Sequence, residues 1–239
     1  MDLSIVIPAH NEEARIGPTL RAYAAAFNPG YGSRWELVVA LNGCTDGTQR
    51  IVDAAASECP AIRWTVEDAI LGKGAAVRAG LREATGDRVA FVDADNMVGP
   101  GEARKLLDAL DAHDAAVGWR KHDMALEPQS RPWARRLVSG LSPMWSRRFL
   151  GLGVHDPQCG AKALRREALD ALLPLLTETG WALDLELLLA ARRLGMRVAE
   201  VPVAWRHVPE GSKVRLRQAA PEVFRATWRL RFRRDWGGR

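Results

Sequence analysis

The sequence predicts an α/β domain built on a mostly parallel sheet flanked by helices. Two observations carry that expectation. Short apolar runs of about five residues alternate with helical patterns through the first half of the chain, the mark of βαβ units. Three of those runs end in polar, turn-forming segments, which such a sheet would gather at the edge where ligands bind. The chain has 239 residues, 47% hydrophobic and 26% charged, which is enough apolar material for a core and excludes a disordered chain.

The elements follow in order. Residues 3–7 read as a buried strand ended by Pro8. Residues 11–27 read as a helix with Asn11 as its N-cap. A strand at 36–41 leads into the turn Asn42-Gly43-Cys44-Thr45-Asp46-Gly47, and a helix over 48–57 follows. A weaker strand at 62–66, a helix over 74–84 and a strand at 88–92 complete the first half. The crossovers should be right-handed. Residues 120–150 are rich in Arg and Trp, with Pro128, Pro132 and Pro143 as breakers, and read as short helices or a mobile loop. Residues 164–176 and 183–194 look helical, 198–205 alternates like a strand, and 219–234 should be helical. There is no repeat, low-complexity tract or linker. The expected organisation is a domain over 1–215 with a basic aromatic helix over 216–239.

Composition narrows the setting. Cys44, Cys59 and Cys159 are odd in number and form no CxxC pair, which argues for a reducing compartment and against a disulfide framework or structural zinc. The apolar run near Met1 is too short for a signal peptide and lacks a basic leader. No stretch of about 18 apolar residues could span a bilayer. The expectation is a cytoplasmic protein, peripheral at the membrane face. The net charge of +5 is uneven: residues 206–239 hold ten Lys/Arg against three Asp/Glu, a net of +7, leaving 24 against 26 elsewhere. Such a tail suits phosphates or anionic lipid, or is a solvated helix face. Nucleic acid is not expected, because no binding motif accompanies the charge. Within the tail, Phe224, Trp228 and Phe232 recur at every fourth position with Arg225, Arg229 and Arg233 beside them. That pattern fits a helix lying in a membrane interface or one docked on the domain by its aromatics.

Asp93-Ala94-Asp95 follows a buried strand. Two carboxylates at a strand tip are hard oxygen ligands for Mg²⁺ or Mn²⁺, or a pair of turn aspartates before Gly99-Pro100. Lys73, between Gly72 and Gly74 ahead of a helix, can hold phosphate, although the P-loop spacing is absent. His207, Ser212 and Lys213 follow the last strand and could meet an acceptor phosphate. Asp184 and Glu186 sit at a helix start, as a general base and acceptor contacts or as partners of the helix dipole. Asp156-Pro157-Gln158-Cys159-Gly160 is a rigid polar turn.

Together these segments resemble the family-2 glycosyltransferases with the GT-A fold, a Rossmann-like sheet with a C-terminal extension on the acceptor side. The matching runs are Ser4 to Glu12, Asn42 to Thr48, Gly72 to Arg78, Asp93-Ala94-Asp95, Asp156 to Lys162, Asp184 to Leu188, Glu200 to Trp205 and Gly211-Ser212-Lys213. The nearest branch makes dolichyl- or polyprenyl-phosphate sugars, as the dolichyl-phosphate glucosyltransferases and mannose synthases do. The resemblance implies an inverting transfer of a hexose from a nucleotide-diphosphate sugar to a polyprenyl phosphate. UDP-glucose is the favoured donor and GDP-mannose the alternative, with Mg²⁺ or Mn²⁺ as cofactor. A soluble transferase acting on a small hydroxyl, or a non-catalytic binding module, are the competing readings.

By position, the resemblance puts Pro8, His10 and Glu12 in the nucleotide pocket and Leu41 and Asn42 against the base. The family usually has Asp-Asp where this chain has Leu41-Asn42, and a Tyr is commoner at His10. Asp93 with Ala94 would meet ribose and Asp95 the metal. Lys73 and Arg120 would join phosphates on the donor side. His207, Ser212, Lys213, Gln158 and Glu186 would face the acceptor. Asp156 or Asp184 would serve as base if the acceptor were a hydroxyl.

Overall fold

A computed structural model of the chain describes residues 1–120, 145, 147–205 and 216–236. Its strands are β1 (Leu3–Ala9), β2 (Trp35–Asn42), β3 (Ile62–Glu67), β4 (Arg88–Val92), β5 (Ala115–Arg120), β6 (Ala161–Arg165) and β7 (Val198–Val203). Its helices are α1 (Ile16–Tyr31), α2 (Thr48–Glu58), α3 (Lys73–Glu83), α4 (Pro100–Ala109), α5 (Arg166–Leu172), α6 (Leu183–Arg193) and α7 (Leu216–Phe232), with a 3₁₀ turn at Leu173–Leu175.

The seven strands form one sheet in the order β3-β2-β1-β4-β6-β5-β7. β1, β2, β3 and β4 pair in parallel, as do β5 and β7, and β6 runs antiparallel between β4 and β5. Central parallel strands are covered on both faces and so read as unbroken apolar runs. β2 obeys this: all eight of its residues are buried. Helices flank the sheet, with α3 on β1 and β2, and α4 on β4, β5 and β6.

Three expectations change. β1 does not stop at Pro8 but runs to Ala9, paired with β2 throughout. Its pairing with β4 ends earlier, at Val6 and Phe91, so Pro8 lies beyond that ladder. Asn11 does not cap a helix. It sits at φ 54, its Oδ1 accepts from Thr45 N at 2.7 Å, and α1 begins only at Ile16. Asn11 therefore ties the β1 loop to the β2 loop. The predicted helix over 164–176 is strand β6 followed by α5 and the 3₁₀ turn, and β5 and α4 carried no clear signal. Ala161-Lys162-Ala163-Leu164-Arg165 has helix-forming residues, and a slot between β4 and β5 overrides that propensity.

Helix α7 docks by a face other than its aromatic one. Val223, Ala226 and Leu230 are buried, as is Trp236 beyond the helix. Arg229 pairs with the buried Glu178 at 2.6 Å, and Arg233 pairs with Glu186 at 2.7 Å. Phe224, Trp228 and Phe232 remain 50%, 44% and 64% exposed. Two of the arginines thus anchor the helix while the rings face outward, the reverse of docking by aromatics.

Candidate active site

The three polar segments expected at the carboxyl edge of the sheet do converge there. They line a cavity of about 450 Å³. β1 brings Pro8, with His10 and Glu12 just after it, and β2 brings Asn42. Asp93, Ala94 and Asp95 follow the tip of β4, and Lys73 opens α3. The far wall is Gly180, Trp181 and Glu222.

Hydrogen bonds hold the side formed by the β1 and β2 loops in shape. His10 Nδ1 lies 2.7 Å from the Asn42 carbonyl oxygen. The Asn42 side chain accepts from Leu71 N at 2.9 Å and donates to the Gly72 carbonyl at 3.2 Å, so it fixes the approach to α3. Glu12 receives a two-pronged contact from Arg15, at 2.7 and 2.8 Å. Arg15 is a cavity residue that the sequence did not single out.

Lys73 Nζ sits 2.6 Å from Asp93 Oδ1 and 5.4 Å from the centre of the Trp181 ring. Burial works against its charge, but Asp93, Asp184 and Asp95 outweigh that and hold its pKa above the usual lysine range. The flanking glycines have a packing reason. Gly72 lies at φ +95, and a Cβ there would come 2.6 Å from the Thr179 carbonyl oxygen. A Cβ at Gly74 would come 2.7 Å from the Gly180 carbonyl oxygen. The Thr179 carbonyl accepts from Ala75 N at 3.0 Å, so the 179–180 backbone packs directly on the start of α3.

Asp95 accepts from Met97 N at 3.1 Å. Burial and the neighbouring Asp93 charge raise its pKa, against the pull of Met97 N–H, Arg15 and Lys73. Among the described residues no group of three or more His, Cys, Asp and Glu side chains is placed to hold a metal. Two carboxylates nonetheless fit Mg²⁺ or Mn²⁺ of the substrate-assisted kind, because Mg²⁺ keeps waters and takes one or two carboxylates plus substrate phosphates. Gly160 backs the pair closely: a Cβ there would lie 1.8 Å from Asp93 Oδ2. Gly160→Ala must therefore push the Asp93 carboxylate aside. The expected result is a fall in transferase kcat of about a hundredfold, the order seen when a reacting geometry slips by an ångström. Thermal denaturation should change little; a kcat within threefold of the parent would refute the contact.

Other candidates border the cavity without lining it. Arg120 grips Asp156 with two hydrogen bonds, at 2.6 and 2.8 Å. Burial alone would raise the Asp156 pKa, but Arg120 holds it below the usual carboxylate range. Asp184 pairs with Lys162 at 2.5 Å, with side chains 8% and 1% exposed. Glu186 is a correction: it is fully buried and cannot touch an acceptor. Its carboxylate accepts from Thr177 N and Oγ1, Glu178 N and Arg233. The Leu41 side chain is also buried in the core and does not line the cavity. Gln158 is half-buried and lies outside the cavity lining. His207, Ser212, Lys213 and most of the 120–150 stretch fall outside the described residues.

The model for glycosyl transferase family 2 matches residues 4–173 of this chain. The chain belongs to that family. Glycosyltransferase AglD of Haloferax volcanii is 34% identical over 245 residues, covering 98% of this chain and 38% of AglD. Dolichyl-phosphate beta-glucosyltransferase ALG5C of Trichomonas vaginalis is 35% identical over 237 residues, covering 89% of this chain and 66% of ALG5C. The family-2 chain thus spans little over a third of one relative and about two thirds of the other. Glucosyl-3-phosphoglycerate synthase of Mycobacterium tuberculosis, solved with Mn²⁺, UDP and phosphoglyceric acid, superposes with a TM-score of 0.64. It is 23% identical and the match covers 98% of this chain and 80% of that one, a likeness of GT-A fold.

Trp181 and Glu222 are site residues of this family-2 chain that sequence reasoning missed. Glu222 Oε1 accepts from Trp181 N at 2.8 Å. The partners are 41 positions apart, so no local pattern could have joined them.

Proposed function

We propose that this transferase moves a hexose from a nucleotide-diphosphate sugar, with UDP-glucose as the favoured donor, to a polyprenyl phosphate at an anionic membrane face. One observation carries the reading. The helix that closes the donor cavity with Glu222 also turns Phe224, Trp228 and Phe232 to the outside. A polar cavity for a charged donor thus lies beside an apolar face suited to a lipid acceptor. The name of ALG5C as a dolichyl-phosphate glucosyltransferase supports the same acceptor class and sugar.

Asp95 and Asp93 would hold Mg²⁺ or Mn²⁺, and the mycobacterial synthase solved with Mn²⁺ and UDP supports that cofactor. A bound divalent ion supplies charge neutralisation of the leaving diphosphate. Lys73, kept charged by the carboxylates around it, adds a fixed positive group at the same rim. An inverting displacement by a phosphate oxygen needs no strong base, because the acceptor is already anionic. A hydroxyl acceptor would need one, and both Asp156 and Asp184 are committed to cations. His207, Ser212 and Lys213 remain the proposed contacts to the acceptor phosphate.

The test is transfer of labelled glucose from UDP-glucose to a long-chain polyprenyl phosphate with Mg²⁺, run beside GDP-mannose. Labelled lipid from UDP-glucose is the expected result. Transfer from GDP-mannose alone would overturn the donor, and no transfer from any common nucleotide sugar would overturn the function.

A further inference from the structure

A second cavity, of about 410 Å³, lies away from the donor site. Its lining includes Phe149, Arg148, Arg192, Arg193 and Arg231. The four arginines have no acidic residue beside them in the described lining. Arg192 donates to the Leu150 carbonyl at 3.2 Å and to the Gly151 carbonyl, so it shapes the floor. Arg148, Arg193 and Arg231 are exposed around it. Glu222 of the donor cavity and Arg231 lie on the same helix, nine residues or about 13 Å apart along its axis.

This cavity adjoins the exposed aromatic row. Phe149 lines it, and its ring centre is 5.0 Å from that of Trp228 and 4.9 Å from that of Trp145. Trp145 stacks on Phe224 at 5.8 Å, and Trp228 on Phe232 at 5.6 Å. Five rings therefore form one continuous patch with an arginine cavity at its border. A contiguous exposed apolar patch marks an interaction surface. Trp and Phe on one face of a basic helix settle at the boundary between lipid headgroups and acyl chains. Arginine forks match phosphate oxygens in pairs.

We propose that the arginine cavity binds the phosphate of an anionic phospholipid in the membrane that receives the aromatic row. The headgroup would fix the rotation of the domain on the membrane, with the donor cavity further along α7. This inference rests on the reading of the aromatic row as membrane-facing, and the test separates the two.

The full chain is titrated with vesicles of phosphatidylcholine alone and of phosphatidylcholine with phosphatidylglycerol. Three variants accompany it: Arg231→Gln; Arg148→Gln/Arg193→Gln/Arg231→Gln; and Phe224→Ser/Trp228→Ser. Each arginine should contribute roughly fivefold to binding of the anionic vesicles, so the triple variant should lose about a hundredfold. Its weak binding to neutral vesicles and its transfer to a short water-soluble polyprenyl phosphate should stay as in the parent, and its melting temperature should fall by no more than about 4 °C, because Arg193 lies 5.9 Å from the centre of the buried Trp236 ring. The aromatic variant should lose binding to both vesicles. A triple variant that binds anionic vesicles like the parent overturns the headgroup site and leaves the membrane-facing row standing. A parent that binds neither vesicle overturns both. A parent whose cavity arginines bind inorganic phosphate but that shows no preference for anionic over neutral vesicles would have a soluble-anion site and overturn the lipid assignment. A dimer of the parent that the aromatic substitutions dissolve, without vesicle binding, would give the patch to a second copy and overturn it as well.

Discussion

Asp95→Asn is expected to lower kcat for sugar transfer by about 10²–10³-fold in saturating Mg²⁺, the loss typical when one preorganised charge-stabilising group is removed. The change keeps the shape of the side chain and its place at the end of β4, so the fold has no reason to suffer. Asp93 stands two residues away with the same charge, and its charge and burial both disfavour ionised Asp95. Removing one of two like charges should therefore leave the melting temperature of the metal-free protein level or slightly higher. Steady-state kinetics and a melting curve on the same sample read both effects. A variant within tenfold of the parent would remove Asp95 from the metal site. A large drop in melting temperature would mean that the activity loss reports unfolding instead.

The second large effect is structural. Lys162 and Asp184 form an almost wholly buried pair at 2.5 Å, and Lys162 Nζ also donates to the Cys159 carbonyl at 2.8 Å. Lys162→Met leaves a carboxylate buried without its cation. Breaking such a pair from one side costs about 3–5 kcal/mol. In a chain of 239 residues that is a fall in melting temperature of roughly 10 °C. Lys162→Met/Asp184→Leu removes both charges and should recover most of it, because a buried pair replaced whole by apolar groups is often neutral. Thermal and urea denaturation of the parent, the single and the double variant check the comparison. If the double variant is as unstable as the single one, packing around Lys162 and not the lost charge partner is the cause.

Asp95 and Asp184 also show where reading along the chain stops. Asp95 was legible because its context is local: a buried strand, a turn, and two carboxylates that a diphosphate could approach only with a cation. The loops after β1 and β2 and the start of α3 were legible for the same reason, and Pro8, His10, Glu12, Asn42, Lys73, Asp93, Ala94 and Asp95 all line one cavity. Asp184 looked similar, a carboxylate at a helix start after a Trp, and nothing nearby indicated Lys162. Glu186 looked like an acceptor contact two residues on, and its partner Arg233 lies 47 positions away.

The β5–β6 region was obscured by composition. Ala115-Ala116-Val117-Gly118 and Ala161-Lys162-Ala163-Leu164 have little strand propensity of their own, and their conformation comes from the neighbours they pair with. The tail was half legible. Its four-residue aromatic spacing announced a helix with a ring-lined face, but which face would dock depended on Glu178 and Glu186 reaching Arg229 and Arg233. The sequence by itself determined the family, the alternation of strands and helices in the first half, and the chemistry at the strand tips, since hydrophobic period and turn residues act over a few positions. Tertiary structure alone decided which charges neutralise each other and which face of α7 stays outside. Those outcomes depend on distances in space between groups tens of residues apart, and a buried charge takes whichever partner the fold brings within reach.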